Sequence, residues 1–295
     1  HKKVQKGSKQ ETNQVFYHTG PHHDDIMLGL MPYIIQLIRE PSNYHHFVNM
    51  TSGFTSVTNN FIIDILSDTL SFLKDGKIQM SEYSDFFERG YKKKWDKDVF
   101  HYLDAIANND IMEQKRGMSH RAVRALIDIY SLSNKDSLKS RISKVLSELN
   151  TYYDGQKNSK EIQKLKGMIR EYEEELVWAN YGVRVQDVHH LRLGFYQGEI
   201  FTENPERKRD VLPILRQLKD PLDSCVRYVV MKIPVELFVV LVIAPHSLID
   251  LTILLERGFH LSKSQLLLTL AESDRSIAYG ACQCLYEKVK IMPVM

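Results

Sequence analysis

The apolar run Val15-Phe16-Tyr17 closes on Thr19-Gly20-Pro21, which predicts a buried strand over Val15–Thr19 ending in a turn. That turn presents His22, His23, Asp24 and Asp25 directly ahead of Ile26, Met27, Leu28 and Leu30. The apolar spacing predicts a helix over Ile26–Arg39, stopped before Pro41. A second short apolar run, Phe47–Met50, leads into Thr51-Ser52-Gly53 and reads as a second strand with its turn. Strand, helix and strand joined by so short a crossover argue for a parallel sheet. The turn Thr51–Thr58 then lies beside the first one, at the carboxyl edge where open α/β sheets bind ligands.

The pattern changes at about Asn60 and stays changed to Gln163. FIIDILSDTLSFL, RAVRALIDIY and SRISKVLSEL carry helical periodicity between polar stretches rich in Lys, Asp, Ser and Asn. This is read as a helical insertion with a structural or partner-binding role, in which His101 and His120 are isolated packing residues. Beyond it, Met168–Tyr181 reads as a helix with a solvated, charged face. Val183–Val188 reads as a strand that delivers His189 and His190. Neighbouring strand residues point to opposite faces, so at most one of the two imidazoles looks into a site. Asp210–Leu218 is a further helical piece.

With 43% hydrophobic and 26% charged residues over 295 positions, the composition is that of a globular domain with an appendage. A formal charge of +2 speaks against a nucleic-acid surface. Lys92-Lys93-Lys94 beside Tyr91 and Trp95 reads as a solvated face near Asp96 and Asp98. Cys225, Cys282 and Cys284 make no disulfide framework and point to a reducing compartment, hence a cytoplasmic location. The run Leu237–Ala244 is too short to cross a bilayer. Residues 1–14 are polar and lack an initiator methionine, so they read as a linker inside a longer protein.

The chemistry concentrates at residues 22–25. His22 and Asp25 are three apart, and a tight turn can aim both at one cation. Asp24 between them points elsewhere and is left to handle a water proton. Imidazole with carboxylate suits zinc, and a catalytic zinc keeps one position open for water. The alternative is a helix start at which Asp24 is the cap.

Pro21-His22-His23-Asp24-Asp25 resembles the Pro-His-Pro-Asp-Asp signature of the LmbE-like, or N-acetylglucosaminylphosphatidylinositol deacetylase-like, superfamily. A second block, Met168 to Glu199, resembles that family's Arg–Glu–Ala helix followed by a Leu-Gly-Phe turn. Its features fall at Arg170, Glu173 or Glu174, Ala179, Gly182-Val183 and Leu193-Gly194-Phe195. The wording is most similar to the deacetylase-like domain that follows a glucosamine-6-phosphate isomerase-like domain in some long bacterial chains. The resemblance covers roughly Val15 to Leu218.

It implies an α/β fold: a three-layer α/β/α, Rossmann-like parallel sheet over residues 15–220, with the helical insertion at about 60–163. It also implies a zinc-dependent hydrolase that removes an acetyl group from an N-acetylated amino sugar or a related small amide. Zinc would be held by His22, Asp25 and a third histidine, with Asp24 as the base. Arg192 is a candidate contact for an anionic substrate group, or a surface salt bridge.

Two departures bear on this. Ile26 stands where many relatives have a carboxylate, and His23 stands in place of proline. The loop that should carry the third histidine is not recognisable, and His246, ahead of His260, is its best substitute by context. Residues 221–295 therefore read as a divergent tail or one read out of its natural frame. The incomplete ligand set leaves a second reading open, a non-catalytic module accompanying an isomerase-like enzyme.

Overall fold

The computed structural model describes residues 12–93, 95–153, 156–195, 206–219, 226–230, 237–244 and 248–255. The chain divides into a sheet unit, 1–51 with 191–295, and a helical unit, 52–190.

In the sheet unit, β1 (Val15–Gly20) lies between two parallel neighbours, β2 (Tyr44–Asn49) and β4 (Val226–Val230). Tyr17 stands opposite both His46 and Tyr228. A strand with neighbours on both sides is buried almost continuously, and Phe16 through Gly20 are all buried. The helix α1 (Asp25–Ile38) turns Ile26, Ile34 and Leu37 inward, positions that share one helical face. The order of this unit's strands is β2-β1-β4, and β3 (Val188–His190) closes the helical unit. The chain after β3 keeps to β2: Leu191 N–H donates to the Asn49 carbonyl at 2.9 Å and Leu193 N–H to that of Met50 at 2.7 Å. A parallel sheet with surrounding helices is the α/β class that the sequence pattern implies.

The helical unit is built from α2 (Asn59–Lys74), α3 (Trp95–Ala107), α4 (Ile111–Tyr130), α5 (Lys135–Thr151) and α6 (Lys160–Asn180). Its core joins Ile62, Leu66 and Leu73 of α2 to Leu126 of α4, Ile142 of α5 and Ile169 of α6. Side chains of Thr58 and Asp110 cap the N-termini of α2 and α4, and Asn134 with Ser137 forms a full capping box on α5.

Three sequence expectations change. The helix around Arg170 starts at Lys160, not Met168, so it belongs to the helical unit and overlaps the stretch assigned to the insertion. Val183–Val188 is not a strand throughout: a 3₁₀ turn at Val185–Asp187 precedes the three residues of β3. In the tail, Leu237–Ala244 forms the strand β5, pairing antiparallel with β6 (Leu248–Leu255) in a separate two-stranded sheet. It is a regular strand within the tail that the sequence marked only as divergent or out of frame. Two apolar runs separated by three residues can pair directly, whereas a parallel pair needs a long crossover. The strand beside β1 is β4 instead. Among the described residues no helix is long and apolar enough to cross a membrane.

Candidate metal centre

The β1–α1 loop is fixed by its backbone. A Cβ on Gly20 would meet Ile26 Cγ1 at 3.0 Å and the His22 carbonyl at 3.1 Å, so the turn needs glycine here for close approach. The end of β2 is tied to the same loop. Met50 N–H donates to the Gly20 carbonyl at 3.0 Å, and the Thr51 hydroxyl donates to that of Pro21 at 2.6 Å. The turn after β2 thus reaches the first one, as the strand order in the sequence implied.

Within the loop, His22 Nδ1 lies 3.3 Å from Asp25 Oδ2, which also accepts from the His22 backbone N–H at 2.9 Å. The spacing of three does bring imidazole and carboxylate together. Both are about one-third exposed. Burial alone would raise the Asp25 carboxyl, but the side-chain and backbone hydrogen bonds from His22, with the nearby imidazoles, hold it below the usual carboxylate range. Asp24 is the N-cap residue of α1, yet it has helical backbone angles and makes no side-chain cap bond. The cap alternative is not the role this side chain plays.

The helix α6 carries an unexpected feature. Glu171, Glu174, Glu175 and Trp178 are spaced to share one face, and all four are buried. The solvated face expected here is the wrong reading of these charges, because burial of paired acids follows the same 3.6-residue period as burial of apolar groups. Their partners are specific. Glu175 Oε2 pairs with Arg121 Nη2 at 2.5 Å. Glu174 Oε1 accepts from Trp178 Nε1–H at 2.9 Å. His190 faces both acids, with Nε2 3.4 Å from Glu175 Oε1 and Nδ1 3.7 Å from Glu174 Oε2.

Burial opposes a charge on His190, yet Glu171, Glu175 and Glu174 outweigh it and raise the imidazole above its ordinary value. Burial likewise pushes Glu175 up, and Arg121 with His190 brings it below the usual range. The two shifts agree in sign, since each group favours the charged form of the other.

Within the helical unit, Glu174 and His190 each offer one ligand atom for a metal ion. Imidazole with carboxylate fits zinc among other transition metals.

The positions singled out in the sequence are therefore distributed unevenly. His22 and Asp25 meet, and Asp24 adjoins them. Arg192 is exposed and has a left-handed backbone, φ 52°. His246 and His260 lie outside the described residues. Glu174, noted only as one of two family-like acids, was not expected as a ligand. The His189-His190 pair did carry a signal, and it is His190 that joins the group. A groove of about 1000 Å³ lies in the helical unit among Phe61, Tyr102, Ile106 and Leu176, and neither Glu174 nor His190 lines it. Comparison with known proteins finds no matching family model, no matching curated protein and no matching solved structure.

Proposed function

We propose that the protein is a metal-dependent amide hydrolase that removes an acetyl group from an N-acetylated amino sugar, built on a three-layer α/β/α, Rossmann-like domain. The observation that carries this reading is the approach of His190 Nδ1 to Glu174 Oε2 at 3.7 Å within the helical unit. The strand-end loop of the sheet unit separately supplies His22, Asp24 and Asp25. The sugar substrate and the identity of the metal rest on the resemblance of the loop to LmbE-like deacetylases.

Glu174 and His190 would hold the cation. A bound zinc supplies an open position for water and polarises an amide carbonyl. Asp24, with no helix-capping bond to satisfy, takes the proton of the attacking water. General bases of this kind contribute ~10²–10⁴ in rate. The His22–Asp25 pair stiffens the loop through two hydrogen bonds. It is also the alternative donor set.

Metal analysis after zinc-replete purification tests this. Near-stoichiometric zinc is expected in the native chain and should be lost in His190→Ala and Glu174→Ala. Zinc lost in His22→Ala and kept in His190→Ala would move the ligand set to the loop pair.

A specific observation favours a second reading. Glu174 already accepts from Trp178, and His190 is already flanked by carboxylates. A self-satisfied ionic cluster of this kind also serves a metal-free module accompanying an isomerase-like enzyme. Absence of zinc from the replete native protein is the result that selects it.

A further inference from the structure

The polar atoms of Glu174 and His190 are divided between two tasks. We propose that Glu175, held in place by Arg121, is the positioning residue that aims His190, and that Trp178 does the same for Glu174. This rests on the metal-centre reading above. Glu174 Oε1 is tied to Trp178 Nε1–H at 2.9 Å, while Oε2 turns toward His190. His190 Nε2 turns toward Glu175 Oε1 at 3.4 Å, while Nδ1 turns toward Glu174. In each side chain one atom is occupied by an outer partner, and the other is presented to the neighbouring ligand.

The outer partners are themselves anchored. Arg121 is 1% exposed, and its guanidinium lies 4.6 Å from the centre of the Tyr172 ring. The Tyr172 hydroxyl donates to the Asp98 carbonyl at 2.9 Å. A surface arginine would swing, but this one is stacked and enclosed, so the oxygen of Glu175 that faces His190 stays where it is. The arrangement favours one tautomer whenever the ring is neutral: the Nε2 proton toward Glu175 Oε1, 3.4 Å away, and the Nδ1 lone pair toward the ligand group. Carboxylate–histidine–metal arrangements use the same division of labour, and loss of such an outer partner typically weakens metal binding 10–100-fold.

The pair is best removed as a pair, because a lone buried Arg or Glu endangers folding. Zinc affinity of the full chain, Arg121→Leu/Glu175→Leu and Trp178→Phe would be measured by competition with a chelating dye, alongside thermal melts. Affinity is expected to fall ~10–100-fold in the double variant and about 10-fold in Trp178→Phe, with melting curves that show both folded. Native affinity in a folded double variant overturns the role of Glu175, and native affinity in Trp178→Phe overturns that of Trp178.

A metal-free readout separates this proposal from the one it rests on. Two-bond ¹H–¹⁵N spectra of ¹⁵N-histidine protein, with His190 assigned through His190→Gln, report the tautomer at a pH where the ring is neutral. A native Nε2–H form that is lost in the double variant supports the positioning role even if the native chain takes up no zinc. The same tautomer in both proteins rejects it whatever the zinc content.

Discussion

His18 and His45, on β1 and β2, are buried against aromatic rings, whereas His190 at the end of β3 is buried against carboxylates. The His18 and His45 rings stack on each other and on Phe16, and His18 also stacks on Phe47. Their nitrogens approach to 3.0 Å. Burial lowers both, with His46 adding repulsion, so that His45 is held at about 4 and His18 well below its ordinary value. His190 is pushed the other way, although burial acts on it in the same sense. The difference teaches that depth does not decide the charge of a buried histidine; the sign of its neighbours does. One region uses imidazole as a flat, neutral packing unit, and the other keeps it polar and aimed.

The comparison is broken most forcefully at the carboxylates. Glu175→Leu alone takes from the buried Arg121 its carboxylate partner at 2.5 Å and is expected to cost about 3–5 kcal/mol of stability. Arg121→Leu/Glu175→Leu, which removes both charges, should lie within about 1 kcal/mol of the native chain, since apolar replacement of a buried pair is often neutral. Urea unfolding would compare them. Equal stability of the single and double variants would mean that the ionic character of this region is incidental.

Next in size is the loop between these regions in chemistry. Asp24→Asn should lower amide hydrolysis by at least ~10²-fold while leaving zinc content unchanged, because a base acts on a proton and not on the cation. Measured zinc loss matching the activity loss would make Asp24 a ligand instead.

Acid titration sharpens the contrast from the aromatic side. The folded-state values of His18 and His45 lie below the unfolded value of about 6.5, so the folded state binds fewer protons than the unfolded chain below that pH. Their contribution is complete above about pH 6.5 and declines as the pH falls toward 4, by up to about 1.4 kcal/mol per pH unit for each ring. His120, held at about 3 by burial with repulsion from His101, Arg116 and Arg124, adds slope in the same direction. The variant His18→Leu/His45→Leu should lose the His18 and His45 part of this slope between pH 6.5 and 4 and keep the His120 part. An acid limb as steep as the native one would show that the stacked rings titrate normally.

How much of this was legible in the chain follows from what each signal depends on. The β1 run and its turn were readable because a buried parallel strand is continuously apolar and because Gly20 and Pro21 punctuate it. The His22–Asp25 approach followed from a spacing of three in a turn. Glu171, Glu174 and Glu175 were misread because a buried acid and a solvated acid look the same until the partner is known. Those partners, Arg121 and His190, stand 54 and 15 positions away from Glu175. Tail strand β4 escaped notice because its place beside β1 depends on pairing with residues some two hundred positions earlier.

The smallest effect separates a helix start kept for chemistry from one kept for stability. Asn134 accepts from Ser137 N–H at 2.8 Å, and the Ser137 hydroxyl reciprocates toward the Asn134 backbone. Asp24 occupies the same position on α1 without such a bond. Asn134→Ala should therefore cost about 1 kcal/mol, the usual value of a lost cap. Asp24→Asn, which removes no helix cap, should cost less than Asn134→Ala. Chemical denaturation of the two variants checks this, with slopes compared to ensure the same surface is exposed. A cost for Asp24→Asn as large as that for Asn134→Ala would show that the loop aspartate supports the helix, and would weaken its assignment as the base.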